Sequence, residues 1–297
     1  MLSIDLRCLA RSVEWSESSP VSIDHYENFP VASVLCPAAL RPAVRAIYHF
    51  ARTADDIADE GPASPAERLA DLAAFRQDLM ATGHGQAGSE RWRGVFEPLA
   101  SCMREFALPP ALLHDLLDAF EQDVHNPTYA DRAELLDYCR RSANPVGRLL
   151  LHLYGVDDAD ALRESDAVCT ALQLINFWQD LSIDGPRGRH YVATADLRAH
   201  GVSIEELKAC VDSPRSRRLV QALCAWAKAM MLAGAPMVMR IPGRAGWELR
   251  LVVQGGLRIL EKIERMEHAS LARRPALAAF DVPLLVWRAL RMGDGRP

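Results

Sequence analysis

Residues 172–184 read Leu172-Gln173-Leu174-Ile175-Asn176-Phe177-Trp178-Gln179-Asp180-Leu181-Ser182-Ile183-Asp184. Gln173, Asn176, Asp180 and Asp184 are spaced by 3, 4 and 4 residues, so on a helix they fall within about 80° of one another. Leu172, Leu174, Ile175, Phe177, Trp178, Leu181 and Ile183 leave almost all the rest of the circumference apolar. A helix that is apolar nearly all round is buried, so its narrow polar strip has to line an internal cavity. Gly185-Pro186-Arg187-Gly188-Arg189 then breaks the helix and sets two cations beside the strip.

A second strip lies upstream. From Leu40-Arg41-Pro42 onward, Leu40, Val44, Ile47, Tyr48 and Ala51 define a buried face. Tyr48, Arg52, Asp55 and Asp59 continue it within about 60° on the helical wheel. At i,i+4 the Cβ atoms of Asp55 and Asp59 sit roughly 5–6 Å apart. Two inward-facing like charges that close destabilise a helix unless a cation lies between them. A single acidic pair is commonplace on a solvated helix. Two pairs, both facing inward and both beside arginine, are not. Carboxylates without His or Cys are hard oxygen ligands that suit Mg²⁺ better than zinc or copper. Mg²⁺ binds through one or two carboxylates plus phosphate oxygens, and Arg offers bidentate donors to the same phosphates. The pattern therefore points to a diphosphate held by Mg²⁺ at the mouth of an apolar helical pocket.

The rest of the chain agrees with a helical frame. Ser64-Pro65-Ala66-Glu67 is a capping box with Pro at the first helical position, and Gly83 follows as a stop. Asp131 with Glu134, and Ser203 with Glu206, repeat the N-terminal signal. Period-2 alternation and Asn-Gly or Asp-Gly hairpin turns are absent. Loops are expected at Gly61–Ser64, Gly83–Ser89, Gly185–Gly188 and Ile241–Gly246, all too short for domain linkers. The expected architecture is all-α, a single-domain bundle around a central cavity. Residues 22–297 form that domain, and a polar, loose N-terminal segment spans 1–21.

Composition narrows the functions. The 297 residues are 49% hydrophobic, enough for a substantial core, and the net charge of −5 argues against nucleic acid as a partner. No apolar run reaches a membrane span, the nearest candidate being Val220–Met239, which reads as a buried helix. Five charged residues among the first 19 leave no apolar signal core. The seven cysteines form no CxxC pair, which suits free thiols in a reducing cytoplasm. No GxGxxG loop follows a strand, so NADPH is not expected. From Arg240 onward 11 Lys/Arg face six Asp/Glu, a local +5 that could attract an anionic membrane surface or simply solvate helix faces.

The motifs together resemble those of the squalene and phytoene synthases, the head-to-head prenyl synthase family, over nearly the whole chain. Arg52-Thr53-Ala54-Asp55-Asp56-Ile57-Ala58-Asp59 resembles that family's first acidic motif, and Gln173 through Asp184 with Gly188-Arg189-His190-Tyr191 its second. Tyr138-Cys139 and Val146-Gly147 resemble the segment lining its cavity. Departures point to a branch. Gln179 stands where condensing members usually carry Arg, and Ala143-Asn144-Pro145 where they carry Ala-Gly. Tyr26-Glu27-Asn28-Phe29-Pro30-Val31-Ala32-Ser33 and Asn176–Asp180 are similar to the hydroxysqualene synthase branch of hopanoid clusters.

The resemblance implies conversion of presqualene diphosphate and water to hydroxysqualene and diphosphate. Two or three Mg²⁺ would be held by Asp55, Asp59, Asp180 and Asp184. Arg52, Arg187 and Arg189, with Gln173 and Asn176, would bind the diphosphate. Tyr48, Tyr138, Asn176, Gln179 and Tyr191 would line the reacting region, although each tyrosine alone reads equally well as a core aromatic. His49, His190 and Trp178 read as solvent or packing residues. Gly256 stands where relatives carry a tyrosine, and the missing ring is expected to leave room for the attacking water near Gln179 or Asn144, against the plainer reading of close helix packing. The apolar product implies peripheral contact with membrane lipid on the inner face, and hand-over to other hopanoid-pathway enzymes. The alternatives are a presqualene diphosphate or phytoene synthase and a non-catalytic assembly scaffold. A terpene cyclase is disfavoured because its Asn/Ser/Glu metal motif is absent.

Overall fold

The computed structural model describes residues 36–292. The segment 1–21, Cys8 and the Tyr26–Ser33 motif lie outside the described residues. Thirteen α-helices and several short 3₁₀ turns make up the described chain, with no strand among them. The first four helices are α1 (Arg41–Asp59), α2 (Pro65–Gly83), α3 (Arg93–Phe106) and α4 (Pro110–Val124). Next come α5 (Arg132–Ser142), α6 (Asn144–Leu153), α7 (Ala159–Gln179), α8 (Leu181–Asp184), α9 (Thr194–His200) and α10 (Ile204–Lys208). The chain closes with α11 (Pro214–Gly234), α12 (Gly243–Arg265) and α13 (Val282–Arg291).

The caps form as the sequence dictates. Ser64 N donates to Glu67 Oε2 at 2.8 Å while Glu67 N donates back to Ser64 Oγ, closing a capping box. Ser203 and Glu206 repeat it at α10, and Asp131 Oδ1 accepts from the backbone of Ala133 and Glu134 at α5. One expected loop is shorter than its glycines suggest, because α12 already begins at Gly243. Gly246 lies inside the first turns, where a Cβ would stand 2.1 Å from the Ile241 carbonyl oxygen. There glycine permits a close approach instead of marking a loop.

Two hydrophobic cores form. One joins α1–α4 around Phe50, Phe75, Phe96 and Trp92, whose rings meet edge-on or tilted. The other is built on α7, α11 and α12, with Trp178 fully buried at its centre. Each fully buried Leu or Phe in these cores contributes roughly 1.5–3 kcal/mol. The 26-residue stretch Pro214–Met239 is long and apolar enough to cross a membrane by length and composition. Its inner face, Leu219, Val220, Leu223, Ala227 and Met231, is core packing. Between the two cores the facing helices leave a cavity, and both acidic strips the sequence marked line it.

Candidate active site

A cavity of about 360 Å³ runs between α1, α4, α5, α6, α7 and α12. Val44, Ile47, Tyr48, Ala51, Arg52, Asp55, Ala58 and Asp59 line it from α1, the three- and four-residue spacing of one helical face. Cys169, Leu172, Gln173, Asn176 and Phe177 do the same from α7, with Asp180 at its C-cap. At ~1.5 Å per residue the α1 stripe is roughly 22 Å long. The polar groups are segregated along it. Asp55, Asp59, Asp123, Asp180 and Asp184 collect with Arg52 and Arg189 at one end, while Val44, Leu116, Val146, Leu150 and Val252 make most of the remainder apolar.

Arginines already neutralise part of the acidic end. Arg189 Nη1 donates to Asp59 Oδ2 at 2.7 Å, Arg52 pairs with Asp55 at 3.2 Å and Asp56 at 2.5 Å, and Arg274 pairs with Asp180. Burial raises the Asp55 carboxyl above the usual carboxylate range against the pull of Arg52. Asp184 is pushed up to about 6 by burial and then by the charge of Asp180. Asp123 is pushed up to about 7, mainly by burial with Asp55 adding to it, and its Oδ2 accepts from the Tyr138 hydroxyl at 2.8 Å. Raised carboxyl pKa values mean that this end holds more negative charge than it can solvate.

An aromatic layer adjoins the carboxylates. The Phe177 and Tyr191 rings stack at 3.7 Å and 7°, with Tyr138 5.7 Å from Tyr191 and Tyr129 5.7 Å from Tyr138. Burial raises the pKa of Tyr138 and Tyr191, so both stay protonated as neutral hydroxyls. Asn126, in a left-handed conformation that asparagine tolerates, donates to the Gly188 carbonyl at 3.1 Å and ties the loop after α4 to the loop carrying Arg189.

Tyr48, Arg52, Asp55, Asp59, Tyr138, Gln173, Asn176, Asp180, Asp184, Arg189 and Tyr191 all line this one cavity. Five expectations need correction. Gln179 does not reach the cavity: it is fully buried, and its Nε2 donates to the Pro275 carbonyl at 2.8 Å. It lies 100° before Asp180 on the helix, so it faces the strap after α12. Arg187 is exposed and stands outside the lining, although its positive charge lowers the Asp184 pKa. Gly256 opens no space. A Cβ there would meet Met231 Cε at 2.9 Å, Leu172 Cδ2 at 3.2 Å and Ile175 Cδ1 at 3.3 Å, so the glycine lets α12 pack on α11 and α7. Asn144 is likewise committed, accepting from Thr170 Oγ1 at 2.9 Å in the core. The acidic strip also bends: α7 ends at Gln179, and Asp184 is carried on the separate turn α8.

Sequence reasoning missed Asp123, Arg274 and Glu248. Asp123 follows Leu116 and Phe120 at the same helical spacing that revealed the other strips, and all three line the cavity. Arg274 carried no local signal, being 94 residues from Asp180. Glu248 is buried in the cavity wall beside Cys36 and Tyr154, whose pKa values are raised first by burial and then by its charge.

A tube with aspartates and arginines gathered at one end and mostly apolar walls elsewhere, Glu248 excepted, defines a site for an amphiphile with a polyanionic head and an apolar tail. The family model described as squalene/phytoene synthase matches residues 24–281, and the chain belongs to that family. It is 34% identical to the hydroxysqualene synthase of Sinorhizobium fredii over 81% of this chain and 79% of that one. It is 33% identical to the presqualene diphosphate synthase of Zymomonas mobilis over 72% of each chain. Among solved structures it resembles squalene synthase HpnC from Alicyclobacillus acidocaldarius, with a TM-score of 0.75 and 35% identity over 82% of this chain and 90% of that one.

Proposed function

We propose that the protein converts presqualene diphosphate and water to hydroxysqualene and diphosphate. One observation carries the reading: five aspartates and two arginines share the polar end of a cavity whose remaining walls are mostly apolar. A diphosphate entering there would add negative charge to an end that already has an excess, so divalent cations are required to balance it. Asp55 and Asp59 on one wall, and Asp180 and Asp184 on the other, are the hard oxygen donors that would hold Mg²⁺. Among the described residues no three carboxylates converge into a ready-made metal cluster. That fits Mg²⁺, which takes one or two carboxylates and completes its shell with substrate oxygens and water. When bound, Mg²⁺ would stabilise the charge developing on the departing diphosphate.

The chain's own residues do the rest. Arg52, Arg189 and Arg274 can turn from aspartate to diphosphate oxygens once cations neutralise the aspartates, offering bidentate donors. The C–O bond breaks with its electron pair leaving on the diphosphate, and a cyclopropylcarbinyl cation remains. Tyr138, Phe177 and Tyr191 lie next to that position and present ring electrons to it. Apolar walls keep bulk water away while the cation rearranges. One water then adds to one carbon and passes a proton to the released diphosphate, giving the alcohol. The similarity to hydroxysqualene synthases, at 32–39% identity, supports this choice among the reactions of the family. The apolar product would leave to a lipid bilayer, the protein resting on the inner membrane face without spanning it.

Purified protein incubated with presqualene diphosphate and Mg²⁺, without NADPH, should yield hydroxysqualene as the lipid product. The second reading, condensation of two prenyl diphosphates, is favoured by the similarity to a presqualene diphosphate synthase. Formation of presqualene diphosphate from farnesyl diphosphate alone would replace the first reading with the second.

A further inference from the structure

The C-terminal helix carries an apolar row on its outside. Phe280 is 74% exposed, Trp287 52% and Leu290 56%, with Val286 beside them, so four of the exposed large hydrophobic residues among those described fall within 280–290. Val286, Trp287 and Leu290 have the 1, 3 spacing of a single helix face. Leu232 extends the surface from α11, because it and Trp287 line the same groove of about 910 Å³, floored by Leu257 and Leu260 of α12. The outward side of α11 from Ala225 to Ala233 is exposed, and Lys228 is its one charge.

Cations ring this surface. Arg291 stacks on Trp287 at 4.8 Å, Lys262 lies over Phe280 at 4.8 Å, and Lys228 and Arg288 border the groove. α13 contains no acid at all. Of the two groove acids, Glu261 is held by Arg258 and Arg288 at 2.8 and 2.5 Å, and Glu264 shares the groove with Lys228 and Arg291. Exposed aromatic rings carrying Lys and Arg on their faces are the composition that settles at a bilayer interface. A second copy of the chain fits less well, since a two-fold contact would set this acid-free, basic helix against itself.

We propose that the outer faces of α11 and α13 form a docking surface for an anionic lipid bilayer. Trp287, Leu290, Phe280 and Leu232 enter the headgroup boundary while Lys228, Arg288 and Arg291 meet lipid phosphates; Lys262 covers Phe280 but keeps its ammonium on Asp281. The proposal deepens the reading of an enzyme with an apolar product by naming the surface that meets the membrane. Its test does not depend on that reading. The opposite side of α12 supplies Glu248 and Val252 to the catalytic cavity, so one helix separates the reacting chain from the lipid-facing groove.

The full-length protein should be sedimented with vesicles of phosphatidylcholine alone, or with one part in three phosphatidylglycerol, at low and high salt. Wild type should partition at least roughly tenfold better onto the anionic vesicles and lose most of that preference at high salt. Trp287→Ala/Leu290→Ser and, separately, Arg291→Glu should each weaken partitioning by roughly tenfold. Thermal unfolding and turnover of detergent-dispersed presqualene diphosphate should stay at wild-type level in both variants. Absence of binding to either vesicle, or unchanged binding by both variants, would overturn the surface while leaving the reaction assay intact. A wild-type dimer in light scattering that the Trp287/Leu290 variant abolishes, without any effect on vesicle binding, would assign the face to self-association instead. Loss of turnover in detergent with normal vesicle binding would count against the reaction and spare the surface.

Discussion

Asp123 is the residue on which the electrostatic reading of the cavity can be tested most directly. Its carboxyl titrates at about 7 in the folded protein against 3.8 for the free side chain, because burial beside Asp55 disfavours the charge. A carboxyl whose folded pKa is raised contributes stability at acid pH and loses that contribution as pH rises through the folded value. Between pH ~5 and pH ~7 the wild type should therefore lose about 3 kcal/mol at this one site, two pH units at 1.36 kcal/mol each, with no further change above pH ~7. Asp123→Asn keeps an acceptor for the Tyr138 hydroxyl and removes the titration. In metal-free protein the variant should gain on wild type by about that amount between pH ~5 and pH ~8. At roughly 2 °C per kcal/mol for a chain of this size, its Tm advantage should widen by about 6 °C over the same interval. Thermal unfolding followed by circular dichroism across pH, in EDTA, measures the difference directly. A gap that does not change with pH, or that widens toward acid, would refute the assignment of a strained, buried carboxyl. Turnover should fall in the same variant even as stability rises, since the acidic end is organised for charge at the cost of stability.

Asp55→Asn or Asp180→Asn should leave the helical content unchanged and cut turnover by about 10³ or more, roughly 4 kcal/mol of transition-state stabilisation, and EDTA should do the same reversibly; wild-type turnover in either variant would remove the metal assignment. Gln179→Leu should destabilise the protein by about 1–3 kcal/mol, because the buried Pro275 carbonyl loses its donor, while chemical denaturation and product analysis should find the product unchanged. Gly256→Tyr should overpack the contact of α12 with α11 and α7, costing at least about 1–3 kcal/mol; a stable variant with altered product would instead restore the idea of a water-filled gap there.

The two acidic strips were legible because helical periodicity is local. Residues three and four apart share a face wherever the helix sits, so Asp55 with Asp59, and Gln173 with Asn176 and Asp180, declared an inward polar stripe before any packing was known. The caps at Ser64, Asp131 and Ser203 were legible for the same reason, each being satisfied within one turn. What the helices face is not local. Arg274 reaches Asp180 across 94 residues, and Asp123 becomes a perturbed carboxyl because the packing of α4 buries it, with the charge of Asp55 adding to the rise against the Tyr138 hydrogen bond. Gln179 and Gly256 show the limit most clearly. In the sequence both positions stand out as substitutions in otherwise familiar motifs. Only tertiary packing decided that one faces the Pro275 strap and that the other lies under Met231, Leu172 and Ile175. Periodicity assigns a residue to a side of its own helix, and the neighbouring helices determine whether that side is cavity, core or solvent.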